Sequence, residues 1–156
     1  MVSTSRTVTI ALLAVTVGLL TACQSGEAMT PHEARDQLVA TIEETGALLD
    51  VPGWERASAP TIQDCDGGNG VKYGYSYSSP PPDGDHLADA NTVADHWKSL
   101  GMTVRIDTSN DPVVYAEGGP VEGLSFGTGP GNYYIAGSSL CVPGNADDLV
   151  DEEYNG

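Results

Sequence analysis

Three cysteines carry the most reactive side chains of this chain, and they lie at positions 23, 65 and 141. A cysteine thiolate can take up a lipid, form a disulfide or bind a metal ion. None of the three has the CxxC or CxxH spacing that is typical of a structural zinc site. No zinc or other cofactor is therefore expected, and the segments around the cysteines decide between lipid attachment and a disulfide.

Residues 1–22 have the organisation of a signal peptide. Arg6 is followed by an apolar run from Val8 to Leu20, which is shorter than the roughly 20 residues that cross a bilayer as a helix. The run ends in the sequence Leu20-Thr21-Ala22-Cys23, which resembles the lipobox of bacterial lipoproteins. The resemblance implies cleavage before Cys23 and a palmitate-containing diacylglyceryl group on its sulfur. The alternative is an ordinary secretory signal followed by an incidental cysteine.

The lipobox also implies a location, and length and charge indicate the domain organisation. The mature chain would be anchored in the bilayer by the lipid on Cys23, at the extracytoplasmic face of the cell membrane. Residues 23–30 would form the tether, residues 31–144 one domain, and residues 145–156 an acidic flexible tail. Trp54, Cys65 and the late Cys141, in an Ala/Gly/Asp-rich and Lys-poor chain, resemble small uncharacterised lipoproteins of high-GC Gram-positive bacteria. That group implies no settled activity.

Acidic residues dominate the charge of the chain. There are 22 Asp and Glu against 6 Lys and Arg, giving a formal net charge of −16 and a pI of about 4.1. Binding of a phosphate backbone requires clusters of Lys and Arg, so nucleic acid is excluded as a partner. The same charge opposes electrostatic docking on anionic lipid headgroups.

Cys65 and Cys141 remain once Cys23 is assigned to lipid. Two cysteines in an exported domain predict one disulfide, because exported proteins fold in an oxidising environment. It would close a long loop and lower the entropy of the unfolded state, which would stabilise the fold by roughly 4 kcal/mol. Two separate buried thiols are the alternative.

Two helices are predicted from caps and from apolar spacing. Thr30, Pro31 and Glu33 have the pattern of a capping box with proline at the first helical position. That helix should end near Leu49, and its apolar face is Leu38, Ile42, Thr45 and Leu49. The second helix should run from about His86 to Leu100 with Asp85 as N-cap. Its buried face is Leu87, Ala90, Ala94 and Trp97, with Val93 and Leu100 beside it.

Short alternating segments predict strands. One lies between the helices, at 71–78, and four follow the second helix, at about 102–107, 113–117, 121–126 and 132–138. Because their connections are short, the last four should form an antiparallel meander. The predicted fold class is α+β, in the order α-β-α-β-β-β-β. Two helices would pack on one face of a mainly antiparallel sheet of four to five strands.

Six tyrosines are the main candidates for a partner surface. Three of them alternate along the first strand, and the others lie on later strands: Tyr73, Tyr75, Tyr77, Tyr115, Tyr133 and Tyr134. An exposed tyrosine face would suit a protein or a sugar. The favoured interpretation is that the rings form the core under the helices, with their hydroxyls at its rim.

The remaining motifs are weaker. Asp64 and Asp66 begin a glycine-rich loop that could bind calcium, but the ligand positions of an EF-hand are not filled. Residues 123–127 match the G-x-S-x-G pattern of serine hydrolases, although no histidine follows Ser125. The histidines at 32, 86 and 96 are not spaced for one metal ion.

The sequence therefore predicts a lipid-anchored binding or interaction module of the cell envelope, without catalytic activity. Its expected partner is another envelope protein, with cell-wall sugar as second choice. A cell-wall hydrolase and a calcium-binding structural domain are the alternative functions.

Overall fold

The computed structural model describes residues 28–68 and 70–155 of the chain, and side chains within α3 as far as 152. The predictions for the leader, the lipobox and Cys23 lie outside the described residues. In this part of the chain the helices are α1 (Pro31–Ala47), α2 (His86–Ser99) and α3 (Ala146–Asn155). The strands are β1 (Glu55–Arg56), β2 (Thr61–Asp64), β3 (Val71–Ser79), β4 (Thr103–Asp107), β5 (Val113–Glu117), β6 (Gly123–Gly127) and β7 (Tyr133–Ser138).

The predicted start of α1 is confirmed. Thr30 accepts a hydrogen bond from the Glu33 backbone N–H at 3.3 Å, and its own N–H donates to the Glu33 carboxylate at 2.8 Å. These two bonds satisfy donors that a helix start leaves free. The helix ends at Ala47, slightly before the expected Leu49, yet Leu49 is still buried.

The second helix begins at its predicted cap, but one residue of its predicted buried face is wrong. Asp85 accepts hydrogen bonds from the backbone N–H groups of Leu87 and Ala88. Leu87 is 45% exposed. The neighbouring His86 takes the inward position in the first turn, where its ring meets Tyr133 edge-on at 5.2 Å.

The sheet contains seven strands in the described part of the chain, in the order β1-β3-β7-β6-β5-β4, with β2 also paired to β3. The antiparallel meander from β4 to β7 is confirmed. The predicted number of four to five strands is wrong because β1 and β2 were missed. Both are short and largely exposed, so they lack the apolar alternation by which a strand is recognised.

The two faces of the sheet differ in cover. Helix α1 packs on β3 and β7, and α2 packs on β4 and β5. Side chains alternate along each strand, so the register puts one set of residues under the helices and the other set on an open face. The fully buried side chains under the helices include Tyr73, Val114, Phe126, Tyr133 and Ile135. The predicted α+β layering with α1 and α2 on one face is confirmed.

A disulfide joins Cys65 to Cys141, as predicted, with 5.9 Å between the Cα atoms. Beside it, Val71 and Val142 exchange two backbone hydrogen bonds of 2.9 and 3.0 Å. Val71 and Val142 belong to a small second core that also contains Ala34 and Leu149.

The expected flexible tail contains the third helix, α3. Asn145 accepts hydrogen bonds from the backbone N–H groups of Asp147 and Asp148, which is the geometry of an N-cap. Leu149 is 8% exposed against the second core, while its acidic neighbours Asp148 and Asp151 face solvent. The prediction of two helices failed here because the acidic composition obscured the apolar residues Leu149 and Ala146, which pack on the second core.

One buried hydrogen bond connects the two packed helices. The indole N–H of Trp97 donates to the Thr45 hydroxyl at 3.0 Å, and that hydroxyl donates to the Thr41 carbonyl at 2.7 Å. Both Thr45 and Trp97 are 0% exposed. A Thr45→Val variant would keep the shape but leave the indole N–H unpaired.

We therefore expect Thr45→Val to lower the free energy of unfolding by about 1–3 kcal/mol, measured by urea denaturation. Thr92→Val is the matched control, because Thr92 makes the same bond to a carbonyl four residues earlier but is exposed. That variant should change stability by less than about 0.5 kcal/mol. Equal effects of the two substitutions would contradict the role of the Trp97–Thr45 bond.

Candidate binding groove on the open sheet face

The structure separates the six candidate tyrosines into two sets. Tyr73, Tyr75 and Tyr133 are 0%, 4% and 0% exposed on the helix-covered face. A partner surface that includes these three is therefore wrong, and the core interpretation holds for them. Alternation along the strand could have separated the sets only if the covered face had been known.

Two of the three buried tyrosines, Tyr75 and Tyr133, place their hydroxyls at the rim of the core, whereas the Tyr73 hydroxyl is buried. Tyr75 donates to the Glu43 carboxylate at 2.9 Å, and Tyr133 donates to the Asp89 carboxylate at 2.9 Å. Burial, followed by the bond to Glu43, raises the pKa of Tyr75 to about 12. Burial and then the bond to Asp89 raise the pKa of Tyr133 as well. Both hydroxyls thus remain neutral donors at physiological pH.

Tyr77 lies on the same face, half-buried at its margin. Its ring stacks on Trp54 with 5.3 Å between centroids and 19° between planes. Both rings lie against Gly46 of α1, where an added Cβ would come within 3.1 Å of the Tyr77 ring. Tyr77 therefore holds the segment before β1 onto α1 rather than facing a partner.

Tyr115 and Tyr134 lie on the open face. The Arg105 guanidinium carbon is 3.8 Å from the centroid of the Tyr115 ring, a cation–π contact between β4 and β5. Tyr134 is 37% exposed, and its ring covers Gly127 of the neighbouring strand. An added Cβ on Gly127 would lie 2.8 Å from the Tyr134 hydroxyl oxygen, so only glycine leaves room for this ring.

Beside Tyr115 the open face forms a groove of about 780 Å³, and Tyr134 lies outside its lining. The register places small residues side by side on its floor, where Ser125 of β6 pairs with Ala136 of β7 and Gly123 pairs with Ser138. Arg105, Tyr115 and Glu117 line it on one side, and Lys72 and Glu122 line it on the other. We call this concavity the open-face groove.

Lys72 is the most enclosed charge of the open-face groove. Its side chain is 14% exposed and lies 3.0 Å from Glu122 and 3.7 Å from Asp66. The hydrogen bond to Glu122 raises the pKa of Lys72. The sequence alone did not indicate Lys72 or Arg105 as site residues. A single cation can be recognised as part of a binding site only when its neighbours in the fold are known.

Ser125 is not placed as a hydrolase nucleophile. It lies within β6, and its hydroxyl is 3.5 Å from the Ala136 carbonyl of the next strand. A nucleophile elbow requires a strand, a sharp turn and a helix, whereas β6 is followed by another strand. The sheet also separates Ser125 from His86 and His96, which lie on α2.

The calcium candidates do not converge with other ligands. Asp66 lies near Lys72, and Asp64 ends β2. Within residues 28–68 and 70–155, no three His, Cys, Asp or Glu side chains form a group that could hold a metal ion. The histidines are dispersed: His32 lies 4.0 Å from Glu152, and a ring nitrogen of His86 lies 3.2 Å from the Pro82 carbonyl.

The fold and the groove together define a two-layer α+β domain with one covered and one open sheet face. Among the described helices, none has the length and apolarity required to cross a membrane.

Comparison with known proteins gives one structural likeness. No protein-family model matches the chain, and no curated protein matches it in sequence. A DUF4853 family protein from Actinomyces odontolyticus is similar in structure, with a TM-score of 0.45 and 16% sequence identity. The match covers 72% of this chain and 64% of that one, so this chain spans less than two thirds of its length.

The raised pKa of Tyr75 predicts a loss of stability in alkali. An unfolded tyrosine ionises near pH 10, whereas folded Tyr75 keeps its proton to about pH 12. The unfolded state thus binds fewer protons above pH 10, and the free energy of unfolding must fall as pH rises from 10 to 12. Thermal melting of wild type and Tyr75→Phe across pH 8–12 tests this.

The Tyr75→Phe variant should melt with a shallower decline above pH 10, because it has lost one of the titrating groups. Its offset from wild type should be constant below pH 9, which serves as the internal control. Parallel profiles over the whole range would show that Tyr75 ionises alike in both states.

Proposed function

We propose that the protein is a lipoprotein anchored by Cys23 at the extracytoplasmic face of the cell membrane, where its domain binds an envelope partner without catalysis. The observation that carries the binding role is the open-face groove. It is a concave surface on a sheet whose other face is covered by α1 and α2, and it is lined by side chains suited to hydrogen bonding. Concave surfaces with a few convergent polar groups are where proteins bind ligands.

The lipobox and the disulfide both support a location at the extracytoplasmic face of the membrane. Leu20-Thr21-Ala22-Cys23 resembles a lipobox, and a disulfide between Cys65 and Cys141 is typical of proteins that fold outside the cytoplasm. Two acyl chains hold a protein on a bilayer in an effectively stable way. The strongly acidic chain would be repelled by anionic headgroups, so the lipid rather than surface charge would keep the domain at the membrane.

The binding role favours the open face over the helix-covered one. On the open face, Tyr134 presents an exposed ring and Tyr115 is half-exposed beside Arg105. Tyrosine and arginine are enriched at interfaces because each combines apolar area with polar ends. Leu87 of α2 and Leu48 at the end of α1 are exposed apolar residues on the helices, which is ordinary for a protein surface.

Lipid anchoring is tested by Cys23→Ala in the native host. Wild type should incorporate labelled palmitate and sediment with membranes, while the variant should lose all label because its only lipid attachment atom is gone. Cys141→Ala is the control, since it removes a different cysteine and should keep the label. Equal labelling of wild type and Cys23→Ala would refute the anchor.

The binding face is tested by photo-crosslinking in intact cells. Tyr134→p-benzoylphenylalanine places a photoreactive ring on the open face, and Leu87→p-benzoylphenylalanine places it on the helix side at similar exposure. We expect a discrete adduct from position 134 that position 87 does not give. The same adducts from both positions would show that the open face has no special role.

A further inference from the structure

We infer that the open-face groove binds an acidic saccharide, with a uronate carboxylate of the sugar chain held by Arg105. This inference rests on the proposed binding role and names the ligand class for the same groove. Three features support it: the charge of the groove lining, the lack of a carboxylate within ion-pair distance of Arg105 among the described side chains, and the small residues of the groove floor.

The open-face groove differs in charge from the rest of the chain. Its lining contains two cations, Lys72 and Arg105, and two carboxylates, Glu117 and Glu122. The whole chain has 6 Lys and Arg against 22 Asp and Glu. Asp66 beside Lys72 and Asp107 near Arg105 bring the count to two cations against four carboxylates. This excess of negative charge is smaller than that of the whole chain, so an anion meets less repulsion at the groove than elsewhere on the surface.

Arg105 is available to such an anion. The other cations of the described chain each have a carboxylate within 4.0 Å: Arg35, Arg56, Lys72 and Lys98. For Arg105 no carboxylate among the described side chains, residues 28–68 and 70–152, is that close; Arg105 is exposed and lies over the Tyr115 ring instead. Asp107 of the same strand interacts with Arg105 electrostatically, but from beyond ion-pair distance. Arg105 can therefore still bind a ligand carboxylate through two hydrogen bonds while Tyr115 supports it.

The floor of the groove favours a sugar chain over a peptide. Strand β6 is paired on both sides, with β5 and with β7, so the floor offers no free backbone edge to an extended peptide. Its exposed side chains are small, and so the floor has no deep apolar pocket for a peptide side chain. It presents hydroxyls at Ser125 and Ser138 and charged groups at its margins, which can accept from and donate to ring hydroxyls.

The size of the groove requires more than one sugar ring. Lys72 on β3 and Arg105 on β4 are separated by four strand spacings, or roughly 19 Å at about 4.8 Å each. One ring cannot reach both, whereas a chain of several rings can place a carboxylate on Arg105 and hydroxyls over Ser125 and Ser138. Because Arg105 is the single cation assigned to the ligand, one carboxylate on the sugar chain is sufficient.

The test is calorimetric titration of the full-length mature protein, purified in detergent, with two probes of equal length. Hyaluronan tetrasaccharide carries uronate carboxylates, and chitotetraose, used in its fully N-acetylated and therefore uncharged form, carries none. We expect the wild type to bind the hyaluronan probe at least tenfold more tightly than chitotetraose. Arg105→Gln should lose about tenfold in affinity for hyaluronan tetrasaccharide and leave chitotetraose binding unchanged.

Two further variants separate a binding effect from a folding effect. Lys98→Gln removes a cation on α2, outside the groove, and should bind both probes within twofold of wild type. Ala136→Leu fills the floor and should abolish binding of both probes, with its melting temperature showing whether the fold is kept. Arg105→Gln lies on an exposed strand position, so its melting temperature should match wild type.

Several outcomes would overturn the inference. These are equal affinity of wild type for both probes, no binding of either probe, unchanged hyaluronan binding in Arg105→Gln, or unchanged binding in a folded Ala136→Leu protein. A protein adduct at position 134, without saccharide binding, would overturn the saccharide and keep the binding module. Absence of palmitate on Cys23 would refute the anchor and would leave these titrations unaffected.

Discussion

The pairing of β3 with β7 is the contact on which the rest of the domain depends. Six residue pairs, from Gly74–Ser138 to Ser79–Tyr133, join the N-terminal half of the chain to the last strand of the meander. The same pairing sets the inward positions of Tyr75 and Tyr77 opposite Gly137 and Ile135, so α1 can pack across both strands. Beyond its end, Val71 and Val142 extend the contact towards the disulfide.

The open-face groove follows from the residues that this register places outward. Where β6 and β7 line the groove these are Gly123, Ser125, Ala136 and Ser138, and none carries a side chain long enough to fill the space above the strands. Tyr134 points outward further along β7, where its ring covers Gly127 outside the groove lining. Long side chains stand only at the margins, where Arg105 is held by Tyr115 and Lys72 by Glu122. The groove is thus a property of strand composition, and the layer of helices beneath gives it a rigid base.

Caps, periodicity and cysteine count made most of the architecture predictable. Thr30 and Asp85 marked helix starts because the capping interaction is local, and the meander followed from short connections between alternating strands. Strands β1 and β2 were missed because their pairing to β3 depends on long-range contacts that leave no pattern in residues 55–64. Helix α3 was missed because its sequence is mostly acidic, although Leu149 and Ala146 pack on the second core.

The candidate site was less predictable, because it also depends on long-range contacts that the local sequence does not encode. The tyrosines were recognised as a set, but their division between core and open face depends on which side the helices cover. Arg105 and Lys72 became candidates only when the register placed them beside a floor of small residues. The type of a residue determines its possible chemistry, whereas the fold determines which other residues lie beside it.

The position of β7 near the end of the chain has a consequence for biogenesis. A chain that emerges from its N-terminus presents β3 long before β7. Until residues 133–138 appear, one edge of β3 has no partner and its tyrosines have no completed core to enter. An unpaired edge with exposed rings is the kind of surface that associates with other chains. The dense negative charge of this protein would keep such half-emerged chains apart until the last strand closes the sheet.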